Sequence, residues 1–148
     1  VMDKTLKDAG PIVFITSAGG ALGQVLKVSG AGDSLAQMVL NTGLPFILIP
    51  FVISGLLKVV QGSGTVAVTT AATLCAPIAA SLGLDPILIF LASGAGARLC
   101  CHVNDSYFWV YTNCMGYDMK TGLKTLSISN VVMSLGGLAA TFICSLWL

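Results

Sequence analysis

The chain has 148 residues, 55% hydrophobic and 9% charged, with a formal net charge of +1 and a mean hydropathy of +0.92. Soluble domains carry roughly 25% charged residues, so this is the composition of a membrane protein. There is no Glu and no run of Lys or Arg long enough to track a phosphate backbone, which removes nucleic acid as a partner.

The start, VMDKTLKDAG, mixes two lysines with two aspartates and precedes one of several apolar runs, a pattern unlike a cleaved signal peptide. Residues 9–26 are 18 uncharged positions, enough at ~1.5 Å per residue to approach a ~30 Å hydrocarbon core. They predict a spanning helix in which Gly19, Gly20 and Gly23 allow close helix approach. Residues 27–43 are more polar, and Leu35, Met38 and Val39 at helical spacing predict a short interfacial connector. Residues 44–57 are 14 uncharged positions, about 21 Å of helix and too short to cross. After the interruption KVVQGSGT, residues 65–84 are again uncharged. Together the two arms predict a re-entrant hairpin over 44–84 with a Gly/Ser tip. Irregular backbone at membrane depth is tolerated only inside protein or beside a wet cavity.

Pro86 suits a first helical turn. The apolar run that follows is cut by Arg98, and the stretch RLCCHVNDSYFW (98–109) then gathers the chain's only His with Asn104 and Asp105. An aromatic-rich half-helix resumes from Tyr107 to Met115, so residues 86–117 read as a broken helix. Residues 125–148 are 24 uncharged positions ending near Trp147, an interface anchor, and predict the last span. Lys4, Lys7, Lys120 and Lys124 fall on one side of this layout, which the positive-inside rule makes cytoplasmic. The fold class is an all-α membrane protein with a re-entrant hairpin and a broken helix. The odd number of cysteines, five, in apolar or small-residue surroundings reads as free thiols rather than a disulfide framework.

Both interruptions have the same chemistry. Gln61, Gly62, Ser63, Gly64 and Thr65 form one, and His102, Val103, Asn104, Asp105 and Ser106 the other. Ser, Thr, Asn and Asp are preferred helix N-caps. A half-helix N-terminus presents free N–H groups and a positive dipole end to an anion, and discontinuous helices of this kind mark transporter sites. The expected ligand is a small organic anion, with Lys58 or Arg98 as charge partner. His102 and Asp105 are titratable, and either could couple anion movement to protons. Gly62 and Gly64 could equally serve close packing, and Arg98 could snorkel to the headgroups. Cys100, Cys101, His102 and Asp105 lack the spacing of a zinc site.

At these residues the chain resembles the gluconate:proton symporter family, through AGGALGQVL (18–26), QGSGTVAV (61–68), HVNDSYFW (102–109) and LKT (123–125). In family order these cover nearly the whole chain and look like the C-terminal part of such a permease. The layout is more distantly similar to the second inverted repeat of dicarboxylate:sodium symporters. The resemblance implies a multi-pass protein of the cytoplasmic (inner) membrane that imports gluconate or a related hydroxy-carboxylate with protons. It implies no enzyme activity and no cofactor, and a site completed by the N-terminal half of the permease. Self-association into a homo-oligomer is compatible with such a bundle. D-serine or another sugar acid is the alternative cargo, and a metal-dependent intramembrane enzyme or a non-transporting fragment the alternative class. The chain departs from the family pattern, which has alanine at Gly64, serine at Cys101, glycine at Tyr107 and glutamate at Asn130.

Overall fold

The computed structural model describes residues 43–82 and 85–147, with single positions before them (10, 17, 21, 25, 28–30, 38 and 41). The predicted span 9–26 and most of the connector 27–43 lie outside the described residues. Among the described residues the chain forms five helices and no strand: α1 Leu48–Gln61, α2 Gly64–Leu82, α3 Pro86–Gly96, α4 Ser106–Met115 and α5 Met119–Cys144.

Helices α1 and α2 form a hairpin whose tip is two residues, Gly62 and Ser63. Gly62 ends α1 in the left-handed region, φ +71°, and its N–H donates to the Lys58 carbonyl at 2.9 Å. That conformation favours glycine because it has no Cβ. Helix α2 buries Ala67, Ala71, Cys75 and Ala79, none more than 1% exposed, a stripe of small side chains at four-residue spacing that lies in one core with Ile53 and Leu57 of α1. Small residues let helix backbones approach closely.

Helix α3 starts at the predicted Pro86, with the Asp85 side chain accepting from the Ile87 N–H at 2.8 Å. Its last residue, Gly96, lies against the Phe51 backbone, and a Cβ there would overlap the Phe51 carbonyl group. Residues 97–105 then run without helix to α4, which Asp105 caps. Helix α5 packs back on both halves. Its Ser134 hydroxyl donates to the Ala95 carbonyl of α3 at 2.8 Å, and its Gly122 and Leu126 face Thr112 and Phe108 of α4.

The last helix begins at Met119, before the predicted Thr125, and takes in both Lys120 and Lys124. A charge count ends a hydrophobic run, whereas a helix ends at its cap, and here Asp118 accepts from the Thr121 N–H. Spanning ~39 Å at ~1.5 Å per residue, α5 is the one helix among the described residues long and apolar enough to cross a membrane, its most apolar 18-residue stretch having a mean hydropathy of 1.6. Only 22% of its most apolar stretch is buried within the chain.

Hydrogen bonds from Thr121 hold the exposed Asp118 carboxyl below its ordinary value. A carboxylate with a lowered folded-state pKa stabilises above its unfolded value, and that contribution is lost as pH falls through the folded value. Amide exchange at Thr121 should therefore be slow at neutral pH and quicken, relative to an Asp118→Asn control, only as the pH drops through the acid range. An identical pH course in the two proteins would rule out the cap.

Candidate functional site

The two interruptions meet. A Cβ on Gly62 would overlap the Asn104 carbonyl oxygen and lie 2.8 Å from its carbon, so the hairpin tip rests directly on the backbone of the helix break. Asn104 holds this contact by donating from Nδ2 to the Val59 carbonyl at 2.7 Å. Lys58, one turn before the tip, sends its Nζ to the Gly62 carbonyl at 2.9 Å and forms an ion pair with Asp105 Oδ2. The two side chains are 8% and 9% exposed.

Asp105 has three further duties. Its Oδ1 accepts from the Tyr107 N–H at 3.0 Å, capping α4, its Oδ2 accepts from the Cys101 thiol at 3.1 Å, and its N–H donates to the His102 carbonyl at 2.9 Å. Both of its carboxylate oxygens are therefore engaged. The rest of the break is pinned by the Ser127 hydroxyl on the Cys101 carbonyl at 2.9 Å and by the Trp109 indole N–H on the Val103 carbonyl at 2.8 Å.

A cavity of about 850 Å³ opens between tip and break. Gln61, Gly62, Ser63, Gly64, Thr65, Asn104, Asp105 and Ser106 all line it, as do Lys58 and Arg98. His102 is half-buried and is not among the lining residues. Sequence reasoning did not point to Val68, Thr69 or Phe90 as walls. Val68 and Thr69 lie one turn beyond Gly64 and Thr65, so helical periodicity from the tip would have found them. Asn130 also lines the cavity, and its Nδ2 donates within α5 to the Leu126 carbonyl at 2.8 Å.

The electrostatics are lopsided. Lys58 and Asp105 cancel, whereas Arg98 is exposed to the cavity and has no ion-pair partner among the described residues. Of the two helix N-termini here, that of α4 is met by the Asp105 carboxylate. That of α2 has only the neutral Ser63 hydroxyl, which accepts from the Val66 N–H at 3.4 Å. One uncancelled cation and one open positive helix end suit an anion. Among the described residues no three His, Cys, Asp or Glu side chains come together as metal ligands would.

The profile of the GntP family permeases matches residues 1–147. This chain belongs to the GntP permease family. Among its relatives, the inner membrane permease YgbN of Escherichia coli is 37% identical over 96% of this chain and 32% of its own length. A gluconate permease of Bacillus licheniformis is 33% identical over 99% of the chain and 34% of its own. The L-idonate transporter of the Gnt-II system of E. coli is 36% identical over 86% and 29%. The GntP chain thus spans about a third of the length of the curated relatives it matches. These relatives are named as permeases and transporters, not enzymes, and no solved structure matches the chain. Membership makes it a membrane protein.

Proposed function

We propose that the chain forms the substrate-binding part of a secondary transporter that imports gluconate or a related small hydroxy-carboxylate together with protons. The reading rests on the cavity between tip and break, where Arg98 and the α2 N-terminus are left open to an anion while Lys58 and Asp105 neutralise each other. The substrate carboxylate would sit between Arg98 and the N–H groups following Ser63, with Thr65, Asn104 and Ser106 near its hydroxyls. The gluconate and L-idonate specificities named for the relatives support a sugar acid. The name of the E. coli permease supports the inner membrane.

In this reading α1 and α2 are a re-entrant hairpin in one half of an inverted repeat, and an N-terminal half closes the cavity from the other side. Protons would act at Asp105, whose neutralisation would release Lys58, or at His102. Oligomeric state is independent of this scheme. A zwitterion such as D-serine stays the alternative cargo: the Asp105 oxygens already accept from Lys58, Cys101 and Tyr107, so its ammonium would need another acceptor, such as the unpaired Gln61 Oε1.

The test is uptake of labelled gluconate into proteoliposomes of the full-length protein, with and without an inward proton gradient. Accumulation should follow the gradient. Arg98→Gln should raise KM about 10-fold or more, in line with the loss of roughly 1.5–3 kcal/mol for a charged hydrogen bond. Unchanged kinetics in Arg98→Gln and in Ser63→Ala would refute the anion site.

A further inference from the structure

Gln61 is the last residue of α1, 3% exposed, and lines the cavity, yet its Oε1 is buried without a hydrogen-bond partner. Buried acceptors are almost always satisfied, and one that is not calls for a donor. Lys58 bonds Asp105 and the Gly62 carbonyl, Asn104 the Val59 carbonyl and the Cys101 thiol Asp105, and none of them bonds Gln61 Oε1.

We infer that Gln61 Oε1 is the specificity acceptor of the site, taking a hydrogen bond from a substrate hydroxyl on the carbon next to the carboxylate. This rests on the anion site proposed above. Gln61 and the first N–H groups of α2 are separated only by Gly62 and Ser63, and the left-handed Gly62 folds the chain back between them. A carboxylate at the α2 N-terminus therefore places its neighbouring carbon, not the far end of a six-carbon chain, beside Gln61. An acceptor in that place selects for a donor. It favours 2-hydroxy acids and disfavours acids with hydrogen or a carbonyl oxygen at that carbon, because these leave Oε1 unpaired. A site built to hydrogen-bond a hydroxyl discriminates strongly against the analogue that lacks it.

The experiment compares gluconate with 2-deoxygluconate as competitors of labelled gluconate binding to the full-length protein, first in wild type and then in Gln61→Met, which keeps length and removes the acceptor. In wild type the deoxy acid should compete about 10-fold or more less well, the scale of one hydrogen bond to a buried group. In Gln61→Met gluconate should weaken to near the level of the deoxy acid, closing the gap to within about 3-fold. Equal competition in wild type overturns the proposal without any variant having to fold. A gap that persists in Gln61→Met overturns it as well, since a merely structural role would weaken both acids together. Failure of wild type to bind gluconate at all would instead remove the anion site on which the proposal rests, and the proposal with it.

Discussion

Asp105→Ala is expected to destabilise the folded chain by about 3–5 kcal/mol, the usual cost of leaving one member of a buried ion pair alone. That is a large share of the ~5–15 kcal/mol that holds a typical domain together. The substitution strands Lys58 at the hairpin tip, uncaps α4 and leaves the Cys101 thiol without its acceptor. Lys58→Met should be costly by the same route, because Asp105 then stays buried with no cation. The double variant Lys58→Met/Asp105→Ala should be less harmful than the two single effects summed, since neither charge is left over. Thermal unfolding of detergent-purified full-length protein, run as a double-mutant cycle, measures this. Strict additivity would mean that the two side chains do not depend on each other.

The second large effect belongs to Gly62→Ala. An L-residue in the left-handed region costs roughly 1–2 kcal/mol. Here the added methyl would also collide with the backbone carbonyl of Asn104, which cannot turn aside as a side chain can. We expect Gly62→Ala to abolish substrate binding and to lower the melting temperature by several degrees. Gly64→Ala, two residues away, is the control. Its φ is ordinary and a Cβ there would meet nothing closer than the Lys58 Nζ at 3.8 Å, so the melting temperature should stay close to that of wild type. If the two alanines behaved alike, the close contact between tip and break would be wrong.

The breaks were legible because Gly, Ser, Asn and Asp interrupt apolar runs for local reasons that a sequence displays: Gly62 ends α1, and Asp105 caps α4. The same local chemistry gave the start of α3 at Pro86. The union of the breaks was foreseen as a shared chemistry, but its bonds were not. Lys58 and Asp105 lie 47 positions apart, and nothing in the spacing of either says that they neutralise each other rather than serve the substrate and the proton separately. Arg98 thereby gained weight as the cation left over. That α5 begins ahead of the uncharged run was not legible, because Lys120 and Lys124 are at ease in the exposed first turns of a helix that Asp118 has already begun.

The tip and the break are joined by three separate fastenings: Gly62 on Asn104, Asn104 on Val59, and Lys58 on Asp105. To swing the hairpin open on its own, all three would have to part together, two of them in a buried setting. A hinge is therefore poorly placed at this seam. The weaker seam is the outer side of α5, where Ile128, Val132, Met133 and Leu135 are largely uncovered and can slide past lipid or a neighbouring helix with no specific bond to break. Hairpin and broken helix would then travel as one rigid lever, carrying the cavity with them.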